Sequence, residues 1–117
     1  MTQESLDINA SLDAIQRSYK HLDDAKAAAK AANTEAKDRL ERASAKLKDA
    51  IETGVAPGDD EGARVKLSVV ELAYQELEEQ KAVAKDIRAA ARDNLKAARK
   101  ILADAIADSK QLTLPGT

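Results

Sequence analysis

The sequence predicts an all-α protein: two long helices folded into an antiparallel coiled-coil hairpin, with hairpins oligomerising into a helical bundle. Three observations carry that expectation. About a fifth of the 117 residues are Ala and 34% are charged, against 2% aromatic, a balance found in long helices rather than in α/β enzymes. Apolar residues recur at alternating steps of four and three along most of the chain. The residues that stop helices gather in one stretch, Thr53 to Gly62, which holds three of the four glycines and one of the two prolines.

The first helix is expected over 5–53, about 70 Å at 1.5 Å per residue. Ser5 or Thr2 is placed to cap it, and Ile8, Leu12, Ile15, Tyr19 and Leu22 begin its heptad pattern. With Leu12 at a, the register continues through Tyr19, Lys26, Asn33, Leu40 and Leu47. Ile8, Ile15, Leu22, Ala29, Ala36, Ala43 and Ala50 then fall at d.

A turn follows over 54–60. Gly54 is suited to the left-handed residue that closes a helix, Pro57 prevents simple continuation, and Asp59 or Asp60 can cap what comes next. The second helix is expected over 60–111, with Val70, Leu77, Ala84, Ala91, Ala98 and Ala105 at a. Ala73, Gln80, Ile87, Asn94 and Ile101 stand at d. Residues 111–117 read as a flexible tail outside the hairpin of 1–110.

Folding about the Ala56–Pro57 bond sets Ala43 against Val70, Ala36 against Leu77 and Leu22 against Ala91, large residues against small ones. The same fold sets Asn33 against Gln80 and Tyr19 against Asn94. Within each of these two layers the facing polar groups would satisfy each other and set the register, since an unpartnered buried amide costs about 1–3 kcal/mol. The second helix also carries apolar residues beside its seam, at Leu67, Tyr74, Leu95, Leu102, Val69 and Val83. That apolar face is wider than one partner helix covers, so the expected partner is the chain itself, as a dimer or larger assembly.

Little in the chain supports catalysis. There is no Cys, hence no disulfide, thiolate nucleophile or thiolate metal site. The only histidine, His21, falls at an outward position, and no Glu-x-x-His pair or Gly-rich phosphate loop occurs. No catalytic residue, metal or cofactor is therefore expected. The start of the chain has no basic and apolar leader pattern and no run reaches membrane-spanning length, which makes the cytoplasm the default location.

Charge is segregated along the second helix. Residues 59–79 hold seven acids and two bases, whereas Lys81, Lys85, Arg88, Arg92, Lys96, Arg99 and Lys100 outnumber Asp86 and Asp93 over 80–100. With Lys26, Lys30 and Lys37 on the first helix, Lys81, Lys85, Arg88 and Arg92 form a candidate anion-binding patch. Like charges so placed repel unless an anion, such as a phosphate backbone, meets them.

Two resemblances add to this reading. A coiled-coil hairpin bearing Asp59, Asp60 and Glu61 at its tip resembles, in outline, transcription factors of the Gre and DksA type. Those insert an acidic tip into the secondary channel of RNA polymerase. The end of the chain, Gln111-Leu112-Thr113-Leu114-Pro115-Gly116, resembles the Gln-Leu-x-Leu motif by which bacterial replication and repair proteins bind the sliding clamp. Pro115 stands where that family carries Phe. The resemblance implies contacts by Gln111, Leu112 and Leu114. The expected role is that of a non-enzymatic interaction or assembly protein of bacterial or bacteriophage accessory type. The alternatives are a clamp ligand acting through the tail, and a nucleic-acid or polymerase factor acting through the basic patch or the acidic tip.

Overall fold

The computed structural model describes residues 3–53, 58 and 60–113, and the side chains of 5–53 and 60–110. The chain is all-α, with two helices that pack against each other as a hairpin and no strand among the described residues. Helix α1 spans Gln3–Glu52 and α2 spans Asp60–Thr113. Thr53 closes α1, its backbone N–H and its hydroxyl both donating to the Asp49 carbonyl, so one of the last orphan acceptors is satisfied twice. Asp60 and Glu61 occupy the first turn of α2 and Lys110 its last, charges that complement the helix dipole at both ends. The expected turn residues 54–57, and Asp59, lie outside the described residues.

The chain forms two compact units. One combines Met1–Ala31 with Ala90–Thr117; the other is Ala32–Ala89.

In the second unit the helices are antiparallel. Arg39 Nη1 donates to Gln80 Oε1 at 3.3 Å and Lys46 Nζ to Glu76 Oε1 at 2.9 Å, so contacts move back along α2 as they advance along α1. The layers differ from those expected. Gln80 meets Arg39 rather than Asn33, and Leu77 lines a groove with Ser44, Leu47, Lys48, Ile51 and Glu52 instead of lying over Ala36. The helices are displaced by about one heptad, which still sets d positions opposite a positions. That shift brings Ala43 level with Leu77 and Ala36 level with Ala84, and all four are buried. Two alanines at one level let the backbones approach closely, which a layer of Leu on Ala would not.

In the first unit the buried stripe has also turned. Leu22, Ser18 and Ala98 are buried, with Ser11, Ile15, Ala25, Ala91, Leu95 and Leu102 half-buried, whereas Leu12, Tyr19 and Ile101 are exposed. On α1 the d positions are joined by the residues three after them, not by the a positions. A straight α-helix of 3.6 residues per turn drifts about 20° against each heptad, so over three heptads the a positions rotate out of the seam.

This removes the expected polar layers: Asn33, Tyr19 and Asn94 are all exposed, and Gln80 is half-buried with Arg39 as its donor. The one buried polar residue among those described is Ser18, whose hydroxyl donates to the Ala14 carbonyl at 2.7 Å. Because that bond lies within its own helix it needs no partner from α2. Ser18→Ala is expected to keep the fold and raise stability by about 0.5 kcal/mol, from helix propensity. A thermal melt monitored by circular dichroism checks this; a clear fall in midpoint would show that the hydroxyl has a second role.

Candidate functional site

The most unusual surface lies near the start of α2, in the second unit. Val65, Leu67, Val69, Leu72 and Tyr74 are each at least half exposed within ten residues, and Leu72 reaches 66%. A helix apolar on several sides is normally covered on several sides. Here only the stripe through Val70, Ala73 and Leu77 turns toward α1.

Val65, Val69, Leu72 and Val83 stand on one flank of α2, while Leu67 and Tyr74 stand on the other, as their spacing dictates. On the first flank an open cleft of about 200 Å³ is lined by Arg39, Arg42, Ala43, Lys46, Glu76 and Gln80. On the second, the groove over Leu77 has a volume of about 290 Å³. Leu47 and Ile51 form its apolar floor together with Leu77, and Lys48 and Glu52 stand beside them.

Neither depression is an enclosed catalytic cavity. The Lys46–Glu76 pair that crosses the cleft has side chains 62% and 42% exposed, so after screening it contributes at most about 1 kcal/mol. Arg39 is held at its base by Glu35 Oε1, at 3.0 Å from Nη2, which orients the guanidinium toward Gln80.

The other expected sites fare differently. Lys26, Lys30, Lys37, Lys81, Lys85, Arg88 and Arg92 are all exposed. Lys37, Lys81, Lys85 and Arg88 belong to the second unit, whereas Lys26, Lys30 and Arg92 belong to the first. Lys37 lies 3.9 Å from Glu41 and Lys81 lies 3.1 Å from Glu78, each an acid about one turn away on the same helix. The repulsion that would call for an external anion is therefore relieved from within at these two lysines.

Asp60 and Glu61 are exposed in the first turn of α2, and Asp59 is not among the described residues. No group of three or more possible metal ligands occurs among those described. His21 is exposed, as its outward register position implied.

At the far end, the backbone of Gln111, Leu112 and Thr113 belongs to α2, so the helix continues two residues past its expected end. The tail was expected to begin within this turn. The side chains of Gln111 and Leu112, and all of Leu114 and Pro115, lie outside the described residues.

Among the described residues no helix is long and apolar enough to cross a membrane. Ser18 was absent from the sequence expectations, although its place four residues before Leu22 and three after Ile15 was a readable signal for a seam position. No protein-family model, curated protein or solved structure matches this chain.

Proposed function

We propose that this protein is a non-enzymatic helical assembly protein, whose hairpin presents the early part of α2 to another helical surface. The observation that supports the reading is the cluster of Val65, Leu67, Val69, Leu72 and Tyr74, all at least half exposed in a chain otherwise rich in charge. Scattered exposed apolar residues are ordinary on any protein surface, but five in ten residues is a local concentration, with Val65, Val69 and Leu72 on one flank of α2 and Leu67 and Tyr74 on the other, and uncovered apolar surface of this kind marks interaction sites. Helical partners recognise such a face through side chains spaced three, four and seven apart.

Site-specific photo-cross-linking in cells tests the proposal. A photoreactive residue placed at Leu72 or at Tyr74 is expected to capture a protein, whereas one at the exposed Lys20 is not. Absence of any adduct at both apolar positions would remove the assembly role.

A further inference from the structure

We infer that the first unit binds single-stranded nucleic acid along one edge of its helix pair, with basic side chains on the phosphates and Tyr19 stacked on a base. The assembly role rests on the apolar flanks of the second unit, so the two readings stand or fall separately.

Position relative to the seam decides which side of the pair a residue occupies. Over 18–30 and 91–99 the buried and half-buried residues are Ser18, Leu22, Ala25 and Ala29 on α1, and Ala91, Leu95 and Ala98 on α2. A residue one step after any of these is turned about 100° from the seam, and in an antiparallel pair such residues of both helices fall on the same side. The second unit shows the rule: Lys46 and Glu76, which bond each other, each stand one step before a seam leucine, Leu47 or Leu77.

In the first unit the side one step after the seam carries Tyr19, Asp23, Lys26 and Lys30 on α1, and Arg92, Lys96 and Arg99 on α2. Five bases therefore stand there with one acid. The side one step before the seam carries Arg17, His21, Asp24 and Ala28 on α1, and Ala90, Asn94 and Ala97 on α2, one base against one acid apart from the histidine. Asp93 lies two steps after Ala91 and so faces away from α1. All five bases are exposed, and Asp23, Lys26, Arg92, Lys96 and Arg99 take part in no ion pair among the described residues. The excess of positive charge on this edge is thus left for an anion from outside.

Tyr19 narrows the choice of anion. It is 61% exposed and stands seven residues, about 10 Å, before Lys26 on the same edge. Proteins hold single strands by this combination: cations follow the backbone, and an aromatic ring takes a base of any identity on its face. Arg92 and Arg99 add planar guanidinium forks that match phosphate oxygens. The seam between the two edges is mostly Ala, which keeps the helices close enough for one backbone to meet bases of both. A duplex keeps its bases stacked on one another, and an acidic peptide would meet the cations but leave the ring unused.

Fluorescence anisotropy of a labelled oligothymidylate of about 16 nucleotides with the full chain tests the inference, circular dichroism confirming that each variant is helical. The expected Kd is tighter than for a duplex of equal length and weakens with salt at a log–log slope of about −3, from four or five phosphate contacts. Arg92→Gln with Arg99→Gln weakens binding at least about tenfold and makes the slope shallower by about 1. Tyr19→Ala weakens the single strand about tenfold and leaves the duplex unchanged, while Tyr19→Phe keeps both. Lys20→Gln, outside the edge, shifts either Kd by less than about twofold.

No binding of the oligothymidylate at low salt overturns the inference. So does binding indifferent to the Arg92 and Arg99 changes, or a Tyr19→Ala effect equal on single strand and duplex. Binding of polyglutamate or of phosphatidylserine vesicles, with none of the oligonucleotide, gives the edge to another anion and overturns it too.

Discussion

Ala36→Leu is expected to destabilise the hairpin by about 2–3 kcal/mol, whereas Asn33→Leu is expected to leave stability unchanged or raise it slightly. Ala36 is 0% exposed, and the one-heptad displacement sets it level with Ala84, itself 1% exposed, so three more carbons at position 36 have no open space to enter. Asn33 is exposed. The two changes separate the observed seam from the heptad seam that periodicity alone suggests, in which Asn33 would be interior and Ala36 would face Leu77. Chemical denaturation with a linear extrapolation reads the difference. A loss at Asn33 comparable to that at Ala36 would place the a positions back in the core.

Leu77→Ala is expected to cost about 2–4 kcal/mol, and Leu22→Ala a similar amount. These are the only large apolar side chains among those described that are less than a tenth exposed, Leu77 in the second unit and Leu22 in the first. Alanines make up the rest of the buried apolar set, so each leucine is the largest well-covered apolar side chain in its unit. A typical domain has 5–15 kcal/mol in all, so either change takes a large share of that reserve.

Hydrogen exchange locates the effect. Leu77→Ala is expected to accelerate exchange first within 32–89, and Leu22→Ala within 1–31 and 90–117. Uniform acceleration along the whole chain in both variants would show that the two units open only together.

Much of the fold was legible because helix signals are local. Alternating steps of four and three, the cluster of Gly and Pro between the two patterned stretches, and acids placed to begin a helix put α1 and α2 within two residues of their observed ends. The apolar flanks of α2 were legible for the same reason: Leu67, Tyr74, Val69 and Val83 stand beside the seam by spacing alone, and all four are exposed.

The polar layers were not legible. Asn33 with Gln80, and Tyr19 with Asn94, matched only for a fold about the Ala56–Pro57 bond, and the seven residues between Glu52 and Asp60 are enough to permit other registers. The charge on the basic patch looked unrelieved for a related reason. Counting bases along α2 does not reveal that Lys81 reaches Glu78 or that Lys37 reaches Glu41.

The sequence by itself determined that the chain is all-α, where it turns, and which residues keep apolar company along each helix, since all of these follow from contacts within a few residues. Tertiary structure alone decided the register and the facing stripe. A heptad pattern matches itself after every seven residues, so sliding one helix by one heptad leaves d opposite a and changes only which sizes meet. The choice falls to close packing, in which Ala36, Ala43, Leu77 and Ala84 are buried while Tyr19 and Asn33 are exposed, as the drift of a 3.6-residue helix against the heptad repeat allows.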